Sequence, residues 1–194
     1  MRQITEYVKQ ASNFHFPRVV NEYLSTKVVK PSIIKATNET IYSIVSGEIE
    51  RLGLDADLNH IDVSSVTHMP GLFNASYENQ ITTYDNDGNE KLDYNIEDDG
   101  RIRGNRKYKE MNVDISQWDV SRVVNMCCMF YKCEAFNCDL SHWNIENLHD
   151  ARFMFFNCSS FNQDLSSWSF KNVTHSNCFE RCNIDKKFKP SFWK

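Results

Sequence analysis

From residue 114 to its end, this chain repeats itself every 25 residues, and this period limits its fold more than any other feature. The units are DISQWDVSRVVNMCCMFYKCEAFNC (114–138), DLSHWNIENLHDARFMFFNCSSFNQ (139–163) and DLSSWSFKNVTHSNCFERCNIDKKF (164–188), followed by the stub KPSFWK (189–194). One column of the alignment holds every tryptophan of the protein: Trp118, Trp143, Trp168 and Trp193. Chance does not produce this spacing, so the chain is built from a repeated structural unit.

A degenerate copy of the unit lies earlier in the chain. ADLNHIDVSSVTHMPGLF (56–73) aligns with VDISQWDVSRVVNMCCMF (113–130) at a constant offset of 57 residues. That offset is one period of 25 plus 32, which predicts an insertion of about 32 residues after Phe73. The predicted divisions are therefore a first degenerate repeat (54–73), an inserted charged hairpin arm (74–113), and three repeats with a C-terminal cap (114–194).

The period of 25 residues lies in the range of leucine-rich solenoids. One such unit cannot bury its apolar face alone, whereas stacked units bury a continuous core. Alternation in FNCDLS (136–141) predicts a short strand, and apolar spacing in VVNMCCMF (123–130) predicts a short helical return. We expect an α+β repeat fold, a short leucine-rich-repeat-like solenoid whose strands pair in parallel between units.

The ends of such a stack expose its core and need caps. Residues 1–53 are predicted to form an N-terminal helical cap, which includes an amphipathic helix over 37–53 that ends at Gly53. Further helical pieces are expected over 3–24. At the other end, Pro190 and the lysines around it are predicted to close the stack, because both residue types discourage edge-to-edge pairing.

The segment WDVSRVVNMCCMFYKCEAFNCDLSHW (118–143) follows the pattern W-D-V-S-x-V-x-x-M-x-x-M-F-x-x-C-x-x-F-N-x-D-L-S-x-W. In this it resembles the BspA-like leucine-rich-repeat family, specifically its Trp/Met-Phe-rich subgroup of bacterial proteins of unknown function. The resemblance covers 54–73 and 114–194, and it implies a right-handed solenoid used for binding. Large members of the family are surface proteins and adhesins, whereas short members without a signal occur in gut bacteria and mobile elements. This chain resembles the short kind, and the family pattern carries no catalytic residue to it.

Charge and composition narrow the function classes. Twenty-two Lys+Arg against 26 Asp+Glu give a net charge of −4, which disfavours a globally basic nucleic-acid binder. No run approaches the roughly 18 apolar residues of a membrane span, and the first residues lack a signal-peptide core. The seven cysteines lie between 127 and 182 and are expected to be reduced thiols. We therefore expect a cytoplasmic protein with no membrane partner.

Three repeated features are candidates for ligand binding, and each has a structural alternative. The tryptophan column is either an aromatic platform or packing, and Ile61 in the degenerate unit favours packing. The cysteines contain no CxxC pair, which favours buried thiols over a zinc site. Asp114, Asp139 and Asp164 are expected to cap turns rather than bind calcium. Since no catalytic motif occurs either, we predict no catalytic residue, metal site or cofactor.

The inserted arm departs most from the repeat. The turn signals Asp87-Gly88-Asn89 and Asp99-Gly100-Arg101 predict two or three antiparallel strands. Residues 85–99 carry seven acids and one lysine, whereas 101–109 carry five bases and no acid. The arm is either a solvated hairpin whose halves neutralise each other or a protrusion that contacts a partner. For the second interpretation, the predicted partner-binding residues are Tyr84, Asp85, Asp87, Tyr94, Asp99, Arg101, Arg103, Arg106, Lys107 and Tyr108.

Taken together, these patterns favour a non-enzymatic protein-binding repeat module. By analogy alone, its expected form is a mobile-element or phage-encoded inhibitor of a host protein, such as a CRISPR-type defence nuclease. Two alternatives stay open: a bacterial adhesin-like surface repeat protein, and an RNA-associated protein that uses the basic strip 101–109. A metalloenzyme without a recognisable motif is the least favoured class. The sequence does not fix the oligomeric state.

Overall fold

The structure is a computed structural model of the chain. It describes residues 32–76, 81–84, 90–93, 104–173 and 177–191, and for 81–84 and 90–93 it describes the backbone only. The regular elements are β1 (Ile34–Lys35), α1 (Ile41–Leu52), β2 (Ile61–Asp62), β3 (Ile81–Tyr84), β4 (Glu90–Asp93) and the 3-10 helices Arg106–Glu110 and Lys186–Phe188. The rest of the described chain consists of turns and irregular segments.

Helix α1 is the amphipathic helix predicted over 37–53. Its buried face consists of Ile41, Val45 and Ile49, which are spaced by one helical turn. The helix starts four residues later than predicted, since Asn38 is engaged elsewhere: its Oδ1 accepts hydrogen bonds from the N–H groups of Thr67 and His68. Gly53 ends the helix with φ 104°, a conformation that favours glycine. The helical pieces predicted over 3–24 lie outside the described residues.

Strands β1 and β2 pair in parallel, with Ile34 opposite Ile61 and Lys35 opposite Asp62. Helix α1 lies in the connection between them. The residues that precede the degenerate repeat therefore supply a strand as well as a helix.

The repeat units stack with equivalent residues side by side. Three isolated parallel bridges join them: Asp57 with Asp114, His68 with Asn125, and Asn125 with Asp150. The first two bridges have the offset of 57 that the alignment predicted, and the third has the period of 25. The degenerate copy is therefore the stacking neighbour of the unit that begins at Asp114.

Residues 127–132 form a run of turns and residues 123–126 are extended or irregular, so the predicted short helix over 123–130 is wrong. The N–H groups of Met126, Cys128 and Phe130 donate to carbonyl groups of the next unit, each at 2.9 Å. The N–H groups between them close turns within the unit. A helix would satisfy all of these groups internally, whereas the run of turns uses half of them to join neighbouring units.

Residues in the left-handed backbone conformation form these turns. Gly71, Cys128 and Phe153 occupy equivalent positions in successive units, with φ of 63°, 56° and 54°. A left-handed conformation costs a residue with a Cβ about 1–2 kcal/mol, so the hydrogen bonds between units must outweigh that cost. The strand predicted over 136–141 is also absent, since this described stretch has no regular secondary structure.

The interior contains a file of phenylalanine rings, one from each unit. The distances between ring centroids are 5.6, 5.3 and 5.5 Å, along the series Phe73, Phe130, Phe155 and Phe179. These rings are nearly parallel, with interplanar angles of 15° or less. Each unit thus buries its ring against the next, which is the interdependence that a stack of repeats requires.

The tryptophan column is packing, as predicted. Trp118, Trp143 and Trp168 are each 4% exposed. Their indole Nε1 groups donate to main-chain carbonyls of the preceding unit at 3.0, 3.2 and 3.1 Å. The rings of Trp143 and Trp168 stack with centroids 6.4 Å apart. These side chains therefore have little surface left for a ligand; Trp193 lies outside the described residues.

The second 3-10 helix lies near the end of the described residues and is hydrogen-bonded to the start of the third repeat unit. The carbonyl of Phe188 accepts the N–H of Leu165 at 2.9 Å. The Nζ atoms of Lys187 and Lys189 lie 4.6 and 5.8 Å from the ring centroids of Phe188 and Phe179. Lysine side chains thus place positive charge beside these two aromatic rings, while the predicted C-terminal cap stays a prediction.

Candidate partner-binding surface

The two ends of the arm segment, at Ser76 and Gly104, meet beside the stack. The N–H of Asn105 donates to the carbonyl of Asn74 at 2.7 Å. Beside this bond, Gly104 lies so close to Ser76 that a Cβ on Gly104 would be 2.8 Å from the carbonyl carbon of Ser76. Only glycine fits there without movement of the backbone. These contacts hold both ends of the excursion together and narrow it to residues 77–103, from the 74–113 that the sequence predicted.

Within the excursion, β3 and β4 form an antiparallel pair. Ile81 lies opposite Asp93 and Tyr84 lies opposite Glu90. This is the hairpin predicted from the Asp87-Gly88-Asn89 turn signal. The structure thus places Tyr84 on β3 and describes only its backbone. The remaining predicted arm residues Asp85, Asp87, Tyr94, Asp99, Arg101 and Arg103 lie outside the described residues.

Beyond the excursion, the chain forms the 3-10 helix Arg106–Glu110. The side chain of Asn105 caps it by accepting the N–H of Lys107 at 3.1 Å. Arg106 and Lys107 are exposed, and they follow Gly104 by two and three residues, at the base of the arm. They are the two predicted partner-binding residues whose side chains the structure describes as exposed.

Tyr108 does not belong with them, which corrects the prediction. It is 6% exposed, and its ring packs edge-on against Phe73 at a centroid distance of 6.2 Å. Burial raises the pKa of Tyr108, although a hydrogen bond with Asn105 opposes that shift. Its place in the core follows from its position, because residues 104–113 already belong to the stack.

The charge at the arm base is mixed rather than uniformly basic. The Nζ of Lys109 lies 3.2 Å from a carboxylate oxygen of Glu134, and both side chains are substantially exposed. An exposed pair of this kind contributes little stability, about 0–1 kcal/mol. With Glu110 adjacent, the base therefore carries acidic side chains beside the exposed cations Arg106 and Lys107.

The repeated aspartates act within the turns. Asp114, Asp139 and Asp164 accept the N–H of the serine two residues later, at 3.0, 2.9 and 2.9 Å. Hydrogen bonds from these serines lower the pKa of Asp114 and Asp139. This is the turn-capping role predicted from the sequence.

The cysteines divide into buried and half-buried thiols. Burial raises the pKa of Cys133 and Cys158 well above its ordinary value, and raises the pKa of Cys138 and Cys182 to about 11. Within the described parts of the chain, no three His, Cys, Asp or Glu side chains are grouped so that they could hold a metal ion.

One pair of residues was missed by sequence reasoning. Cys127 and Cys128 are adjacent, and their sulfur atoms lie 3.6 Å apart. The alignment contained a signal for this pair: the equivalent positions of the neighbouring units hold Pro70-Gly71 and Arg152-Phe153, so the two cysteines are particular to this unit. The repeat therefore does not require cysteine at either position.

The stacked periodic units define a repeat protein. The chain belongs to the family described as Mycoplasma protein of unknown function, DUF285, whose family model matches residues 43–105 and 102–191. The two matches meet where the arm rejoins the stack, and the family is consistent with the predicted BspA-like repeats. A search of curated proteins and a search of solved structures each found no match. Among the described residues, no helix combines the length and the apolar character that crossing a membrane requires.

Proposed function

We propose that this chain is a non-enzymatic protein-binding module in which the arm 77–103 and its base make the main contact with the partner. The observation that carries this proposal is the junction of Ser76 and Gly104. A close backbone approach fixes the arm on a packed stack, so less of the binding energy is spent on ordering its base. The repeated side chains are already used in packing and turn capping.

The scaffold in this proposal is a short right-handed leucine-rich-repeat-like solenoid with capped ends. Its support is the set of parallel bridges between equivalent residues and the aromatic file through successive units. A solenoid presents an insertion at one fixed place on its surface, and insertions of this kind often lie on the binding face.

The exposed positive charges at the arm base indicate which kind of partner surface we expect. Arg106 and Lys107 are exposed at the arm base, and Arg is common among residues that dominate binding energy. A partner with an acidic patch would be steered toward them, and this steering would weaken as salt increases. We propose a cytoplasmic setting, which the seven free thiols support.

The test is affinity purification from the native cell with three baits, followed by mass spectrometry. The first bait is the full chain, and the second replaces 77–103 by a three-residue Gly-Ser-Gly linker, which is short because the ends already meet. The third keeps the arm and carries Lys171→Ala and Glu146→Ala, which remove an exposed ion pair of 3.1 Å on the stack. We expect one partner with the first and third baits and its loss with the second.

Recovery of that partner by the armless bait at full yield would refute the proposed contact. Thermal unfolding of the armless variant is the control for its fold, because Phe73 packs against Tyr108, Trp118 and Phe130, which the armless variant retains. The finer proposal, a mobile-element or phage-encoded inhibitor of a host protein such as a CRISPR-type nuclease, is tested on the partner itself. We expect a stoichiometric amount of the chain to abolish the partner's activity, and unchanged activity would reject inhibition.

RNA binding is the second candidate, favoured by the adjacent exposed cations Arg106 and Lys107. If they and a third cation contact phosphates of single-stranded RNA, the logarithm of affinity should fall with a slope of about −2 against the logarithm of salt concentration. Fluorescence anisotropy with single-stranded RNA measures this slope. No binding at low salt would exclude this candidate and leave the protein-binding proposal unaffected.

A further inference from the structure

Adjacent residues in an extended chain point to opposite faces, but Cys127 and Cys128 bring their side chains together. The thiol of Cys127 donates to the sulfur of Cys128 at 3.6 Å. The cause is the left-handed conformation of Cys128, with φ 56°. Cys127 is half-buried and Cys128 is 3% exposed, so Cys127 is the more accessible of the two residues.

The hydrogen bonds around this pair hold the geometry in place. The N–H of Cys127 donates to Oδ1 of Asn125, and the N–H of Cys128 donates to the carbonyl of Arg152 in the next unit, both at 2.9 Å. The carbonyl of Cys128 accepts the N–H of Tyr131 at 3.1 Å. Because Gly71 and Phe153 adopt the same conformation at equivalent positions, the turn does not depend on the thiols.

From this geometry we propose that Cys127 and Cys128 form a reversible redox site that peroxide converts into a vicinal disulfide. The thiol of Cys127 loses its proton, and the thiolate attacks one oxygen of hydrogen peroxide. The O–O bond breaks, Cys127 becomes a sulfenic acid, and the departing hydroxide takes up the proton that the thiol lost and leaves as water. The sulfur of Cys128 then attacks the Cys127 sulfur, the S–O bond breaks, and the hydroxyl leaves as a second water with the proton of Cys128. Two thiols are oxidised and one peroxide is reduced to two waters.

The distances and the exposure of the two cysteines decide which one reacts with peroxide and which one resolves the sulfenic acid. Peroxide reaches Cys127 first because that residue is the more accessible of the two, and a neighbouring thiol is the usual means of resolving a sulfenic acid. Closure must bring the sulfurs from 3.6 Å to about 2.05 Å. The Cα atoms of neighbouring residues are about 3.8 Å apart, less than the usual span of a disulfide. The product is therefore strained, and strained disulfides are the readily reduced, regulatory kind.

Oxidation of this pair should also lower the stability of the stacked units. Ring closure changes the backbone at Cys128, whose N–H joins this unit to the carbonyl of Arg152. We expect a lower midpoint of thermal unfolding for the oxidised protein, and recovery of the original midpoint after reduction.

The experiment uses the full chain, treated with dilute hydrogen peroxide, denatured, alkylated with iodoacetamide and digested with trypsin. Cleavage after Arg122 and Lys132 releases the peptide 123–132, which contains Cys127 and Cys128 and no other cysteine. The reduced peptide takes two alkyl groups. We expect none after peroxide, and two again when dithiothreitol precedes alkylation.

Matched variants separate the pair from the other thiols. Cys128→Ser should leave Cys127 to oxidise irreversibly, whereas Cys138→Ser should leave disulfide formation unchanged. The proposal is overturned if the wild-type peptide keeps both alkyl groups, if either cysteine gains two or three oxygens, or if Cys127 is bonded to a different peptide.

Discussion

The contact between Trp143 and Trp168 should couple the stability of neighbouring units. Each indole donates to a main-chain carbonyl of the preceding unit, and the two rings stack at 6.4 Å. A Trp→Leu change removes one hydrogen bond of about 1 kcal/mol together with much of the ring packing. We expect each single change to cost about 2–4 kcal/mol of unfolding free energy.

No orphaned carbonyl should add to that cost. The carbonyl of Ile115 also accepts the N–H of Trp118, and the carbonyl of Leu140 also accepts the N–H of Trp143. Both acceptors therefore keep a partner when an indole is lost, and the measured cost reports on the ring and its one bond.

The assay is a pair of double-mutant cycles, read by urea unfolding. Trp143→Leu with Trp168→Leu should show a coupling of about 1 kcal/mol, the usual size for stacked aromatic rings. Trp118→Leu with Trp168→Leu is the control, because these rings belong to units that are not neighbours. Its coupling should lie below about 0.5 kcal/mol. Equal coupling in the two cycles would refute the reasoning.

Two further predictions concern the arm base and α1. Gly104→Ala should destabilise the fold by about 1–3 kcal/mol, because its Cβ meets the Ser76 backbone. Gly47→Ala, in open space on α1, should stabilise the fold by about 0.5–1 kcal/mol. If urea unfolding gave stability changes of the same sign for both variants, it would contradict these two predictions. Burial raises the pKa of Tyr42 to about 12, so the neutral phenol, which donates to the carbonyl of Pro70, contributes stability below pH 10 that is lost as pH rises toward 12. The difference in unfolding free energy between the wild type and Tyr42→Phe should shrink between pH 10 and about pH 12, and a constant difference would contradict this prediction.

The alignment of like residues predicted the long-range pairing well. The offset of 57 came from column matches alone, and it is the offset of the bridge between Asp57 and Asp114. The burial of the tryptophans could also be predicted, because Ile61 replaces Trp in the degenerate unit and both are apolar. Periodic sequences carry this information since each unit must contact the next in the same way.

Local conformation was harder to predict. Apolar spacing in 123–130 suits a helix, but it suits equally a run of turns whose inward residues recur at similar intervals. What decides between them is the row of acceptors on the next unit, which local spacing does not contain. Tyr108 lies among basic residues typical of a binding surface, and only its contact with Phe73 shows that it belongs to the core.

The most direct test of the stacked-unit account is a solution NMR measurement of contacts between residues one period apart. Nuclear Overhauser effects should connect the indole protons of Trp143 with those of Trp168, and the ring protons of Phe130 with those of Phe155, whose centroids lie 5.3 Å apart. Indole and phenyl protons that show cross-peaks only to residues close in sequence would contradict the account.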